Sequence, residues 1–140
     1  MYDLALNQAL HLERCSMRVA LWGVDSRDGA LLSKMKKTLE SLGVVSQIMK
    51  DDYNAASQVD MILVAGGDKG ILNYFHKVTK ASAPVLGIYE TDSTGFLAQI
   101  EVRDLEPATR RLKRGEYDID EVMRLKVRVD GKEVEPALND

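Results

Sequence analysis

Cysteine and histidine are scarce in this chain of 140 residues, which has one cysteine and two histidines. The lone Cys15 excludes an internal disulfide bond and a metal site built only from cysteines of one chain. His11 and His76 lie far apart, without the spacing of paired metal ligands, so a structural role explains each of them better. The sequence also has no pattern of a Ser-His-Asp or Cys-His nucleophile. A metal hydrolase is therefore the least supported class.

The chain also lacks a strong excess of one charge and a long apolar run. Its formal net charge is -3, which argues against nucleic-acid binding because such proteins present a basic face. No apolar run approaches the roughly 20 residues of a membrane span, and the start has neither the basic flank nor the cleavage site of a signal peptide. We therefore expect a cytoplasmic protein that binds neither nucleic acid nor membranes.

The residues that are abundant indicate a folded globular domain. Apolar residues make up 45% and charged residues 29% of the chain, which is far from the composition of disordered segments. A length of 140 residues suits a single domain that buries its own core. One local basic group is interpreted as the solvated last turn of a helix; it consists of Arg110, Arg111, Lys113 and Arg114.

Apolar periodicity predicts alternating strands and helices over residues 17–115. Strand-like segments cover residues 17–24, 44–49 and 59–65. A helix is predicted between the first two, ended by Gly43, with an apolar stripe of Leu31, Met35, Leu39 and Leu42. This order indicates an α/β fold with an open, mostly parallel, Rossmann-like sheet flanked by helices. Residues 1–16 form an extension that we expect to be helical.

The carboxyl-terminal part follows a different pattern. A short helix is predicted over residues 104–114, ended by Gly115. Residues 116–130 alternate in polarity with period two, which is typical of a half-buried strand, and Asp130-Gly131 is a strong hairpin signal. We expect residues 116–140 to form antiparallel strands that begin a truncated or missing β-rich second domain. Exposed strand edges favour self-association, so we expect a homo-oligomer, either a dimer or a tetramer.

The most informative segment is the glycine turn of residues 64–70, Val-Ala-Gly-Gly-Asp-Lys-Gly. An apolar strand leads into it, and a helix is predicted to begin within two residues of Asp68. Glycine lets the backbone approach a ligand closely, and the free N–H groups of a helix start attract phosphate. Ligands of open α/β sheets gather beyond the carboxyl ends of the strands, so this turn, residues 23–26 and residues 89–95 should form one crevice. Residues 89–95 could also be an ordinary surface loop.

Asp68 has both functional and structural explanations. A carboxylate repels phosphate, so its useful places are beside a sugar hydroxyl, on a metal ion, or as the base that takes a proton from a nucleophile. The structural alternative is a helix N-cap or a turn residue, since aspartate is favoured at both. The glycine turn alone does not decide between them.

Several motifs, in the right order, resemble the NAD kinase family (ATP/polyphosphate-NAD kinase). Gly66-Gly67-Asp68 resembles the start of that family's G-G-D-G-T motif. Residues 84–88 (Pro-Val-Leu-Gly-Ile) and 95–97 (Gly-Phe-Leu) are similar to its P-V-L-G-I-N and G-F-L segments. Residues 114–117 (Arg-Gly-Glu-Tyr) resemble its G-E-Y turn, and residues 137–140 (Ala-Leu-Asn-Asp) its A-L-N-E/D motif. The resemblance covers residues 17–140 and implies the amino-terminal, nucleotide-binding domain of such an enzyme.

The resemblance implies transfer of a phosphoryl group from ATP or polyphosphate to the 2′-hydroxyl of the adenosine ribose of NAD, which gives NADP. Asp68 would be the catalytic base, and Mg²⁺ or another divalent cation would accompany the donor phosphates, with no metal ligand assigned in the chain. Phe96 would line the pocket or, alternatively, be a core aromatic. The residues implied in binding the nucleotides are Gly66, Gly67, Lys69, Gly70, Asn73, Gly95, Phe96, Asn139 and Asp140.

The family pattern is broken directly after Asp68, where Lys69-Gly70 replaces Gly-Thr. Lys69 could pair with phosphate, pair with Asp68 or project into solvent. Two alternative functions stay open. One is a non-catalytic nucleotide-binding or regulatory module derived from the family, which Lys69 favours. The other is a related lipid or sugar kinase, against which Asn139-Asp140 argues.

Overall fold

The structure is a computed structural model that describes residues 17–23, 28–49, 58–78, 83–90, 97–122 and 125–137. The extension of residues 1–16, which is predicted to be helical, lies outside these ranges. So do the candidate site residues Gly95, Phe96, Asn139 and Asp140.

A five-stranded sheet has the order β2-β1-β3-β4-β5, and each neighbouring pair is parallel. Its strands are β1 (Arg18–Trp22), β2 (Val45–Ile48), β3 (Met61–Ala65), β4 (Val85–Tyr89) and β5 (Ile100–Glu101). The three predicted strands are thereby confirmed as β1, β2 and β3. The chain continues from β1 to β2 on one side and then crosses to β3 on the other, so a topological switch point lies between β1 and β3.

Helices cover both faces of this sheet. They are α1 (Asp28–Ser41), α2 (Gly67–Lys77) and α3 (Leu105–Lys113), the last preceded by a 3-10 turn, Val102–Asp104. Val19 and Leu21 of β1 share one buried cluster with α1 and α3, while Ala20 and Trp22 share another with α2. Successive strand residues therefore face opposite layers, as expected for a sheet buried on both sides. The predicted α/β fold is confirmed.

The predicted glycine, Gly43, follows two residues after the last residue of helix α1. Gly43 has a φ of 77°, in the left-handed region that favours glycine. Its N–H donates to the carbonyl of Glu40, and the N–H of Val44 donates to the carbonyl of Leu39, both at 3.0 Å. This pair of bonds is a Schellman motif, and it satisfies carbonyls that the helix itself leaves without donors.

The basic group at the end of α3 is solvent-exposed, as predicted, and its members also make a hydrogen bond and ion pairs. Lys113 Nζ donates to the carbonyl oxygen of Leu42 at 2.6 Å. A cation therefore meets the negative end of α1, where it is electrostatically favourable. Arg114 Nε pairs with Glu116 Oε1 at 2.9 Å on the surface. These contacts connect α3 to α1 and to the chain that follows it.

The predicted hairpin is confirmed at the carboxyl-terminal side of the described chain. Strand β6 (Leu125–Val129) pairs antiparallel with β7 (Lys132–Ala137). Asp130 and Gly131 have φ values of 51° and 79°, the two positive values that a type I′ turn requires. Strand β7 also lies against helix α2.

The predicted strand over residues 116–130 is wrong for its first half. Residues 116–122 have no regular secondary structure and are exposed, Tyr117 by 41% and Ile119 by 59%. Alternating polarity produces a strand only where a neighbouring strand supplies hydrogen bonds and side-chain contacts. None of the described strands pairs with this segment. The boundary of a second domain near residue 116 remains a prediction.

Candidate nucleotide-binding site

The parallel sheet brings the described parts of the three predicted turns to one rim. Trp22 is the register partner of Val64, and Ala65 is that of Ile88. The chain therefore leaves β1, β3 and β4 at the same edge, directly before Gly23, Gly66 and Glu90. This edge includes the switch point between β1 and β3, which is where open α/β sheets bind ligands.

The glycine turn makes the connection from β3 to α2 very short. Gly66, the N-cap of α2, has a φ of 97°, and Gly67 has a φ of 67°. Residues that carry a Cβ rarely adopt such values. Gly70 packs against the end of β3, because a Cβ added there would lie 2.2 Å from the carbonyl oxygen of Ala65. Helix α2 can thus begin at the sheet rim and pack closely on β3.

Asp68 lies in the first turn of α2 and is half-buried. Its Oδ1 accepts two backbone hydrogen bonds, from the N–H of Leu97 and from the N–H of Ala98, each at 2.8 Å. Bonds from backbone N–H groups to a carboxylate are stronger than bonds between neutral partners. The carboxylate therefore holds the connection between β4 and β5 against the start of α2.

The structure excludes the simplest structural explanation for Asp68. The N-cap of α2 is Gly66, so Asp68 does not occupy the N-cap position. The bonds of Asp68 instead reach residues 29 and 30 positions away in sequence. Its carboxylate is a tertiary acceptor at the rim where ligands gather.

Sequence reasoning missed the donors of these bonds. Any residue except proline carries a backbone N–H, so Leu97 and Ala98 have no sequence signature as partners of Asp68. A signal did exist at Gly87, because a glycine in the middle of a buried strand marks a close approach of another part of the chain. A Cβ added at Gly87 would lie 2.8 Å from the Cα of Ala98.

The remaining described candidates occupy different environments. Lys69 and Gly66 are exposed, whereas Gly67 and Gly70 are buried and Asn73 is half-buried. Asn73 lies five positions after Asp68 on α2, so the two side chains point in directions about 140° apart around the helix axis. The start of α2 brings together the glycines, Asp68 and Lys69. The nucleotide-binding roles of these residues and of Asn73 remain predictions.

The described residues do not form a metal site of their own. Among them, no three His, Cys, Asp or Glu side chains come close enough to hold a metal ion. Asp68 Oδ1 already accepts hydrogen bonds from two N–H donors.

Among the described residues, no helix has both the length and the apolar content to cross a membrane.

Comparison with known sequences decides the family. Residues 24–117 match the sequence model of the ATP-NAD kinase N-terminal domain. The chain belongs to this family. The match includes the glycine turn, Asp68 and Gly87, and it ends near the Gly115-Glu116-Tyr117 turn. The resemblance that the motifs indicated is confirmed.

Individual relatives agree with this assignment. The chain is 34% identical over 137 residues to an NAD kinase of Heliobacterium modesticaldum. This alignment covers 95% of this chain and 46% of the relative. It is 34% identical over 115 residues to one of Clostridium perfringens, covering 79% and 41% of the two chains. With an NAD kinase of Clostridium kluyveri the identity is 45% over 69 residues, covering 49% and 24%. The chain thus spans less than half the length of these relatives.

A solved structure shows the same fold. An NAD kinase from Archaeoglobus fulgidus, determined in complex with ATP, matches with a TM-score of 0.55 and 22% sequence identity. The match covers 79% of this chain and 41% of that protein. At this identity the likeness supports the arrangement of strands and helices.

Proposed function

We propose that the protein containing this chain is an NAD kinase, which transfers a phosphoryl group from ATP or polyphosphate to the 2′-hydroxyl of the adenosine ribose of NAD and releases NADP. The observation that carries this proposal is the position of Asp68 at the sheet rim, in the first turn of a helix that follows a glycine turn. Membership of the ATP-NAD kinase family supports it.

In this proposal Asp68 is the general base. Its carboxylate takes the proton of the 2′-hydroxyl as the oxygen attacks the terminal phosphorus of the donor, and the shortened donor leaves with the electron pair of the broken P–O bond. The two hydrogen bonds donated by the backbone N–H groups of Leu97 and Ala98 hold the carboxylate in one orientation. Fixed geometry of this kind is a large part of catalysis of phosphoryl transfer.

The other candidate residues would bind the nucleotides. Gly66, Gly67 and Gly70 would let the backbone approach the ligand closely, and Lys69 is exposed and so able to meet phosphate. Asn139 and Asp140 would hold the adenosine ribose by hydrogen bonds; strand β7, which leads toward them, lies against the helix that carries Asp68. Asn73, Gly95 and Phe96 would complete the pocket.

A divalent cation enters this proposal only with the donor phosphates. Mg²⁺ is usually bound by substrate phosphates and one or two carboxylates, and it keeps several waters. The described residues offer no group of three ligands. When bound, the cation would neutralise charge on the donor phosphates.

The whole protein is proposed to be a cytoplasmic enzyme that assembles as a homo-oligomer, either a dimer or a tetramer. Residues 116–140 would begin a second, β-rich domain that supplies the rest of the dinucleotide pocket. Exposed Tyr117, Ile119 and Val122 support this, because they leave apolar surface for a further part of the protein to cover.

A non-catalytic nucleotide-binding module is the second candidate. The observation in its favour is that Asp68 already binds two backbone N–H groups, which is enough to give this carboxylate a structural purpose. Such a module would bind NAD or ATP in the same crevice without forming product. The exposed Lys69, which replaces a glycine of the family motif, also fits it.

Product analysis on the full-length protein separates these candidates. Purified protein is incubated with NAD, Mg²⁺ and either ATP or polyphosphate, and NADP is measured by an NADP-specific dehydrogenase. We expect NADP formation with at least one donor. NADP offered as the acceptor is the matched control, because its 2′-position is blocked and no donor should be consumed. Binding of NAD without NADP formation under all conditions would favour the non-catalytic module.

A further inference from the structure

Three consecutive backbone N–H groups are fixed where the chain enters β5. Those of Leu97 and Ala98 donate to Asp68 Oδ1 at 2.8 Å. That of Gln99 donates to the carbonyl oxygen of Gly87 at 3.2 Å. This short segment, residues 97–99, is therefore attached to α2 on one side and to β4 on the other.

Gly87 sets how closely this segment can approach β4. A Cβ added at Gly87 would lie 2.8 Å from the Cα and 2.9 Å from the Cβ of Ala98, and 2.2 Å from the Cδ1 of Ile71. Real Cβ atoms do not come this close, so a neighbour would have to move. The Cδ1 of Ile71 ends a flexible side chain, whereas the Cα of Ala98 belongs to the backbone that binds Asp68.

Movement of Ala98 is transmitted directly to Asp68. Ala98 is 1% exposed, so surrounding atoms restrict its displacement. The distance from the Ala98 nitrogen to Asp68 Oδ1 is 2.8 Å. A shift of about 0.5 Å would bring this distance to the limit of a good N–H···O hydrogen bond. Misplacement of a reacting group by about 1 Å can lower a rate about 100-fold.

We propose that Gly87 and Ala98 are positioning residues, whose close contact aims the Asp68 carboxylate at the acceptor hydroxyl. This role rests on the proposed function, because it assigns these residues to the orientation of the base. Both residues are buried, and the role assigned to them is exerted through the Asp68 carboxylate. The size of residue 87 determines the position of the Ala98 backbone, and the Ala98 N–H determines the orientation of the carboxylate.

Steady-state kinetics of the full-length protein test this role with three variants. Gly87→Ala should lower kcat about tenfold or more while the KM for ATP changes less than about threefold, because the base is displaced and the donor site is not. Ile71→Val is the matched control and should leave kcat near the wild-type value. In the double variant Gly87→Ala/Ile71→Val, the contact with Cδ1 is removed but the contact with the Ala98 backbone is kept. Its stability should rise above that of Gly87→Ala while kcat stays low.

Two results would overturn the positioning role. One is a wild-type kcat for Gly87→Ala, and the other is recovery of kcat together with stability in the double variant, since packing alone would then explain the defect. If Gly87→Ala does not fold, Ala98→Gly decides. It removes the methyl group that abuts Gly87 and keeps the N–H group; kcat should fall about threefold or more, and an unchanged kcat would overturn the role.

Hydrogen exchange separates failure of this role from failure of the proposed function. If the wild-type protein forms no NADP, the kinase proposal fails, and backbone exchange at Leu97 and Ala98 is compared between wild type and Gly87→Ala. Exchange about tenfold faster in the variant would support the mechanical link from Gly87 to Asp68. Equal exchange rates would overturn it.

Discussion

At the scale of single residues, Asp68 combines a structural and a proposed chemical task, and two substitutions separate them. Asp68→Ala removes the acceptor of two backbone N–H groups and should lower the free energy of unfolding by about 1–3 kcal/mol. Asp68→Asn keeps a carbonyl oxygen that can accept both bonds, so its loss should be smaller. Chemical denaturation followed by circular dichroism measures both values. Equal stability of Asp68→Ala and wild type would show that the bonds contribute little.

Ser46 has a buried side-chain hydroxyl for which the described structure offers no hydrogen-bond partner. It is 8% exposed, and its Oγ has no hydrogen-bond partner among the described residues. A buried hydroxyl without a partner is unfavourable. Ser46→Ala should therefore leave stability unchanged or raise it by up to about 1 kcal/mol, measured by thermal unfolding.

Thr109 is the matched control for this prediction. It is also buried, but its Oγ1 donates to the carbonyl of Leu105 at 2.6 Å. Thr109→Val has nearly the same shape and loses that bond, so it should cost about 1 kcal/mol. A Ser46→Ala variant that is destabilised as much as Thr109→Val would contradict the assignment of an unpaired hydroxyl.

At the scale of elements, the end of α1 depends on a cation from α3. Lys113 Nζ donates to the carbonyl of Leu42 at 2.6 Å, where the helix end carries partial negative charge. Lys113→Met keeps much of the aliphatic chain and removes the charge, and it should lower the free energy of unfolding by about 0.5–1.5 kcal/mol. Lys37→Met, at an exposed position of α1, should change it by less than about 0.5 kcal/mol. Equal effects of the two variants would contradict this role of Lys113.

Elements could be predicted where the sequence pattern and the local physics coincide. Strand β3 is a continuous apolar run that is buried on both faces, and α1 has a periodic stripe and a glycine in the left-handed region at its end. Strand β5 escaped prediction because its two residues are too few for any periodicity. Residues 116–122 were predicted to form a strand since they alternate, but a strand also needs a partner, and a partner has no local signature.

The candidate site could be predicted in part for the same reason. The glycine turn of residues 64–70 and the start of α2 depend on local backbone geometry, so the sequence indicates them directly. The bonds from Leu97 and Ala98 to Asp68 join positions 29 and 30 residues apart in sequence. Their donors are backbone N–H groups, which every residue except proline has, so these bonds can be identified only from the folded structure.

At the scale of the whole molecule, the chain spans at most 46% of the length of the NAD kinases from Heliobacterium and the two Clostridium species. If further residues complete the dinucleotide pocket, a protein of residues 1–140 alone should form NADP at least about 100-fold more slowly than the full-length protein, because the acceptor is not held in line. Matched assays at equal concentration of folded protein measure this. Rapid NADP formation by residues 1–140 would contradict a pocket shared with a second domain.

The central claim is that the Asp68 carboxylate takes the proton of the acceptor hydroxyl, and the kcat of Asp68→Asn in the full-length protein tests it most directly. Asp60→Asn is the control. Asp60 also accepts a hydrogen bond from a backbone N–H, that of Arg18 at 2.9 Å, but it lies at the opposite edge of the sheet, where β1 and β3 begin. We predict that Asp68→Asn lowers kcat about 10²- to 10⁴-fold in a protein that stays folded. Asp60→Asn should remain within about twofold of wild type. NADP formation by Asp68→Asn at the wild-type rate would contradict the claim.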